Sequence, residues 1–422
     1  MIFMDKVKPL WMHGKDENVN QEVTLGELLF FVSFVAFFVK FTMDFSGVAP
    51  RNETMNTLLV GLSIACSMFK IFTQKYTPLN FAITMVICAV MGYSALISIN
   101  YLFLLGFLLI MGMQNISLDK IMKFGFYAKV TNISIHVLWY IFVYITNPGA
   151  IQFVYRRSDQ PRHTFFMGHA NLFTAFLVWT CFDFMFINYK NLKVFHMAVI
   201  WLLNLIFYVF TDSNTGLIIL AAITVVVIAD KAGKGFFDKL LTILAKYAYL
   251  FFAVLFTVLS AIYTQLDGTA REMWHIFDRF LTGRIWFGAY AFYQYGPTLL
   301  GRPDMPSQNI FWQGRWFDTL TIFDNSYIGN LVSYGYINLI VTAIVFIVLC
   351  GRMENREKVL IIAFALYGIM EAYVTNLGMC SALFIVGKYI WTTKTKYTSD
   401  YAKITHNKVL GNNARQTALS DT

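Results

Sequence analysis

Apolar runs long enough to cross a bilayer recur along nearly the whole of this chain, and they leave little room for any fold other than a bundle of membrane helices. A spanning helix needs about 20 largely apolar residues. Such runs fall at about 25–43, 54–73, 78–98, 99–114, 122–146, 169–188, 194–211, 215–230, 245–264, 326–350, 357–375 and 377–392. The third and fourth are nearly fused, as are the last two. Within a bilayer each backbone polar group must be paired inside its own segment, so these runs are read as helices. Residues AVILMFWYC fill 57% of the 422 positions and charged residues only 14%, too little polar surface for a soluble protein of this length. The expectation is an all-α integral membrane protein with about 12 transmembrane helices.

The two basic residue types divide between the loops. Lys70, Lys75, Lys120, Lys123, Lys190, Lys193, Lys231, Lys234, Lys239, Arg352, Arg356 and Lys358 fall on one side, with Lys394, Lys396, Lys403 and Lys408 of the tail. The positive-inside bias makes that side cytoplasmic. The other side receives Arg51, a 147–168 loop with Arg156, Arg157 and Arg162, and a 265–325 loop with Arg271, Arg279, Arg284, Arg302 and Arg315. Apart from Lys40, lysine is absent there. Arginine kept outside against the bias has another use: its planar fork grips phosphate in a bidentate way. The chain is thus organised as a cytoplasmic segment 1–24, helices one to nine over 25–264, an extracytoplasmic loop 265–325, three helices over 326–392, and a polar, flexible cytoplasmic tail 393–422. The first 24 residues are polar, unlike a cleavable signal peptide. Aromatics and arginines at near-helical spacing over 270–300 predict amphipathic helix at the membrane interface.

The formal charge of +9 is modest and reads as topology and attraction to anionic lipid rather than nucleic-acid binding. Cys66, Cys88, Cys181, Cys350 and Cys380 show neither metal nor disulfide spacing. There is no P-loop, dinucleotide fingerprint or HExxH motif, and no DxD pair in an extramembrane loop, so neither cofactor nor metal is expected.

Five constellations could carry chemistry. Arg162-His163 and Gly168-His169-Ala170-Asn171 open the sixth run, where a helix N-terminus beside arginine makes an anion site and His169 could donate a proton or hold a phosphate. The plainer reading there is interfacial anchoring, with Asn171 as cap. Thr211-Asp212-Ser213-Asn214-Thr215-Gly216 is a polar break read as a tight turn, from which Asp212 could pair with an arginine. Arg279 and Arg284 stand five apart around Gly283, and Arg284 is the leading candidate for contacting a diphosphate. Asp324-Asn325-Ser326-Tyr327 places a carboxylate beside an arginine-rich mouth, as a helix cap or as a general base. Glu371 lies inside an apolar run, where a carboxylate is functional by default. Asp183 and Asn204 are weaker intramembrane candidates.

Taken in order, Arg162…Gly168-His169-Ala170-Asn171, Thr211-Asp212-Ser213-Asn214-Thr215-Gly216, Thr282-Gly283-Arg284…Trp286, Pro297-Thr298-Leu299-Leu300-Gly301 and Asp324-Asn325-Ser326-Tyr327 before Tyr334-Gly335 resemble the Wzy-type polysaccharide polymerases of the O-antigen ligase/polymerase superfamily, over roughly residues 150–380. The chain looks most like members serving exopolysaccharide or capsule in low-GC Gram-positive bacteria. The resemblance implies a GT-C-like fold in the bacterial plasma membrane. It implies a metal-independent membrane glycosyltransferase that joins undecaprenyl-diphosphate-linked repeat units on the outer face, with one lipid-linked glycan as donor and another as acceptor. Flippase and chain-length regulator proteins are its implied partners. On that reading Arg162, Arg157, Arg279 and Arg284 hold the diphosphate, Asp324 or His169 takes the proton, and Glu371, Asp212 and Tyr327 support them. Trp286, Tyr290, Tyr293 and Trp312 could stack on sugar faces. Many members carry Ser-Arg-x-Gly where this chain has Ser213-Asn214-Thr215-Gly216, so an expected arginine is missing. Ligases typically carry His-Asn-x-Tyr where it has Asp324-Asn325-Ser326-Tyr327, which argues against a histidine base and favours polymerase over ligase. A lipid-linked oligosaccharide flippase and a ligase-like glycan transferase are the alternatives.

Overall fold

The computed structural model describes residues 24–391 except 50–51, 99–100, 152, 156–159, 234, 304–307, 314, 319–323 and 373–375. Arg51, Arg156, Arg157 and Lys234, and the segments read above as polar N-terminus and tail, lie outside the described residues. The chain opens with α1 (Leu25–Phe45), α2 (Glu53–Phe72), α3 (Pro78–Ile97), α4 (Tyr101–Met111) and α5 (Leu118–Thr146). A hairpin of β1 (Phe153–Tyr155) and β2 (Pro161–His163) leads into α6 (Ala170–Ile187), α7 (Val194–Thr211), α8 (Asn214–Ala232) and α9 (Asp238–Tyr263). Then come α10 (Gly268–Phe280), α11 (Arg284–Gln294) and a second hairpin, β3 (Asn309–Trp312) with β4 (Arg315–Asp318). The chain closes with α12 (Ser326–Ser333), α13 (Tyr336–Leu349), α14 (Asn355–Tyr367) and α15 (Ser381–Trp391).

Among the described residues seven helices (α1, α2 and α5 to α9) are long and apolar enough to cross a membrane, and Thr84–Ile97, Tyr101–Met111, Tyr336–Arg352 and Ser381–Trp391 are shorter apolar helices. The protein is therefore a mostly helical membrane protein. Its helices begin where short polar side chains accept the orphan N–H groups of the first turn, as Thr24, Asn52 and Ser117 do. Of these seven, α6 is the enclosed helix, with 83% of its residues buried against 17% in α7. Leu202, Leu203, Ile206 and Val209 of α7 and Phe251, Val254 and Val258 of α9 stay exposed, as a lipid-facing surface requires. α9 packs against α11, α12, α13 and α14 and joins the last third of the chain to the rest.

Polar contacts sort the loops into two ends. At one, Lys120 pairs with Glu27, Arg356 with Asp119 and Glu354, and Lys388 with Glu354 and Glu357. Asp230 there accepts from Tyr189 and Asn355. At the other, Gly47 N–H donates to the Phe166 carbonyl, Arg162 reaches Thr211 and Arg284 reaches Met370. Lys40, the exception in the lysine pattern, is neutralised one turn on by Asp44. Between the ends, the Lys129 ammonium lies 2.7 Å from Asp183 and donates to Ser381 Oγ at 2.8 Å, tying α5, α6 and α15 together. Asn204 donates to the Ile200 carbonyl one turn back.

Three expected elements differ. The 326–350 run is two helices, not one. Gly335 sits at φ +84°, and a Cβ on it would come within 2.4 Å of the Leu299 carbonyl oxygen, so the chain breaks to let the 298–301 segment pass. Tyr336 and Ile337 N–H donate there to the Thr298 and Leu299 carbonyls. The 357–375 run stops at Tyr367, leaving Glu371 in a non-helical link. The 270–300 segment is also two helices, divided by left-handed Thr282 and Gly283. Only α10 keeps an exposed apolar stripe (Met273, Ile276, Phe277), whereas most of α11 is buried.

Candidate functional site

At the arginine-bearing end, four chain segments bring charged side chains together. Arg162 occupies the middle of β2, opposite Val154, and its side chain turns inward. Its Nε donates to the Thr211 carbonyl at 2.7 Å and its Nη2 to Asn171 Oδ1 at 2.6 Å. Ser213 Oγ donates to the same Asn171 oxygen at 3.1 Å. Between β2 and α6 the backbone passes through left-handed Phe165, Phe166 and Gly168, a conformation that bulky residues adopt only when packing enforces it. Phe165 is clamped by Phe173, with ring centroids 4.3 Å apart, and by Tyr140 and Phe207.

His169 caps α6 by accepting the Asn171 N–H at Nδ1, so the cap is the imidazole and not Asn171. Burial, reinforced by Arg162 and Arg284, lowers its pKa below the ordinary histidine range. The ring is therefore neutral near pH 7. With Nδ1 accepting, its proton sits on Nε2, which makes His169 a hydrogen-bond donor rather than a base.

Arg284 begins α11 directly after the Gly283 turn and is buried. Its Nη2 donates to the Met370 carbonyl at 2.8 Å and lies 3.4 Å from Asp324 Oδ2, while Nη1 reaches the Thr282 carbonyl at 3.3 Å. Nε is buried with no protein partner among the described residues. An unmet buried donor costs about 1–3 kcal/mol, so this edge of the guanidinium is suited to accept a ligand. Asp324 does not cap α12. Asn325 does, accepting the Tyr327 and Ile328 N–H groups at 2.9 and 3.2 Å, which frees Asp324 for Arg284. Burial raises the Asp324 carboxyl above its ordinary value and Arg284 opposes the rise.

Glu371 completes the cluster. It hydrogen-bonds the Asn171 side chain and lies within electrostatic reach of Asp324, Arg284 and Arg162, while its Oε1 has no partner among the described residues. Its backbone is held by Ser326 Oγ, which donates to the Glu371 carbonyl at 2.6 Å. The structure thus brings together Arg162, His169, Arg284, Asp324 and Glu371. Arg279 is exposed on α10 and has no side-chain contact with the cluster among the described residues. Arg157 lies outside them. Asp212 takes the left-handed C-cap of α7, and the carbonyl of its neighbour Thr211 accepts from Arg162. Tyr327 is fully buried with its hydroxyl on the Ala365 carbonyl at 2.6 Å, a packing role. Trp286 and Tyr290 are buried beneath the second hairpin, against Trp312 and Phe317, so they line no open surface; Tyr293 is exposed and Trp312 half-buried. Sequence reasoning gave no role to Ser213, Ser326 or the Met370 carbonyl, because hydroxyls and carbonyls carry no local signature of a distant partner.

The arrangement can offer an anionic group the open edge of Arg284 within the field of Arg162, donate a hydrogen bond from His169, and accept a proton at a carboxylate. No protein-family model, no curated protein and no solved structure matches this chain.

Proposed function

We propose that this chain is a Wzy-type polymerase: a membrane glycosyltransferase joining undecaprenyl-diphosphate-linked oligosaccharide repeat units at the outer face of a bacterial plasma membrane, with both termini cytoplasmic and a GT-C-like arrangement of about twelve passes. The alternation of the two ends along the chain, short helices included, supports that topology. The observation that carries the reading is Arg284, buried beside Asp324 with an Nε that has no partner among the described residues, in the shared field of Arg162 and Glu371.

In the proposed reaction an acceptor hydroxyl oxygen attacks the donor's anomeric carbon. The bond from that carbon to the phosphate oxygen breaks, and the lipid diphosphate leaves with the electron pair. Asp324 takes the hydroxyl proton. Arg284 stabilises the charge growing on the leaving group through its free edge, with Arg162 adding field strength from a position already bonded to Thr211 and Asn171. His169 donates from Nε2 to a phosphate or sugar oxygen.

The test is glycan analysis of cells carrying Arg284→Ala, with insertion verified by immunoblot. Single repeat units accumulating on the lipid at the outer leaflet support the proposal, and polymer of normal length removes it. Repeat units trapped on the inner leaflet favour a flippase instead. Full-length polymer left unattached to its acceptor favours a ligase.

A further inference from the structure

Asp278 belongs to no motif, yet its side chain is wholly buried and sits under the first turn of α11. Oδ1 accepts the Ile285 N–H at 2.8 Å and Oδ2 accepts the Trp286 N–H at 3.0 Å, while the Asp278 carbonyl accepts the Gly283 N–H at 2.9 Å. One residue of α10 therefore closes the 279–283 turn and satisfies two of the orphan donors that open the next helix. Gly283, at the N-cap position of α11, has no side chain to do so. Further along α11, Gly288 packs so closely on α9 that a Cβ would meet Ser260 Oγ at 2.2 Å. The helix carrying Arg284 is thus pinned at its start and again at mid-length, and Asp278 is the pin on the arginine's side.

We propose that Asp278 is a positioning residue for Arg284, setting the direction from which its guanidinium meets an anionic phosphoryl group. This rests on the reading of Arg284 as the diphosphate contact. Asparagine at position 278 keeps size and one acceptor but turns the second oxygen into a donor facing the Trp286 N–H, so α11 tilts and the fork is misplaced without loss of charge.

The experiment uses the full chain in nanodiscs with inorganic pyrophosphate as probe. Asp278→Asn weakens pyrophosphate binding about tenfold, toward the level of Arg284→Ala, and adding it to Arg284→Ala causes no further loss. Amide exchange rises in peptides covering 283–290 and stays unchanged elsewhere. Ser117→Ala, which removes the cap of α5, is the control: it lowers the thermal midpoint without altering affinity. Asp278→Ser, which keeps one acceptor, is read in the same way should asparagine fail to fold. Wild-type affinity in the Asp278 variants with a loss in Arg284→Ala overturns the role of Asp278 alone. Wild-type affinity in all of them overturns the phosphate reading and this proposal with it.

Discussion

Arg284 and Asp324 face one another at 3.4 Å across the junction of α11 and the segment leading into α12, the arginine buried and the carboxylate half-buried. A cation and a candidate base share one contact, so a phosphate that takes the free edge of Arg284 also changes the charge that Asp324 feels. Lysine at position 284 keeps the charge but loses the fork, and with it the simultaneous contacts to Met370, Asp324 and ligand. Arg284→Lys is expected to lower polymer formation about 100-fold or more, the scale reported for removing one oriented donor from a reacting oxyanion. Membranes charged with the cell's own lipid-linked repeats provide the assay.

In the proposed reaction the pH profile reports on Asp324. Burial holds its carboxyl above the ordinary range, and a base must be deprotonated to work. Activity is therefore present above that raised pKa and is lost as pH falls through it. Removing Arg284, which opposes the rise, moves the residual acid limb to higher pH. Asp324→Asn abolishes turnover and Asp324→Glu retains part of it with a displaced limb. An acid limb unchanged in Arg284→Ala would assign the titration to another group.

Lys129 and Asp183 form a fully buried pair away from the arginine cluster. Asp183 lies 14 positions beyond His169, about 20 Å along α6. Lys129→Met or Asp183→Leu alone leaves an uncompensated buried charge and is expected to cost about 3–5 kcal/mol, whereas the two together are near neutral. Thermal midpoints of the two single variants and the double variant in one detergent measure this. Additive losses would mean that the pair does not act as a unit.

Gly335 and Gly301 lock the 298–301 segment against the α12–α13 break. A Cβ at Gly301 would come within 2.5 Å of the Ser333 carbonyl oxygen, and Gly301 sits at φ +110°. Alanine at either position is expected to lower stability by about 1–3 kcal/mol, read as a lower thermal midpoint. Gly61, which has open space where a Cβ would be, gives the contrasting control with little change.

Much of the frame was legible because hydropathy and loop charge are local. The long helices fall close to the runs read from sequence, and the arginine-bearing loops gather at one end. What failed was local pattern continued too far. Arginines and aromatics kept near-helical spacing through 270–300, but the left-handed turn at Thr282 and Gly283 sends α11 into the interior, burying Trp286 and Tyr290. Asn171 and Asp324 both look like caps, yet His169 and Asn325 do the capping, since side chains one or two positions apart compete for the same N–H groups and only the backbone path decides between them.

The sequence by itself determined that this chain is a bundle of apolar helices with arginine concentrated in particular loops, because transfer of side chains into lipid is summed residue by residue along each run. Only the tertiary structure decided which of Arg162 and Arg284 keeps an open edge. Arg162 is bonded to Thr211 and Asn171, while Arg284 is held by a carbonyl 86 positions away and by a helix pinned on Asp278. Such partners are chosen by how helices pack, and that is a property of the assembled bundle rather than of any one segment.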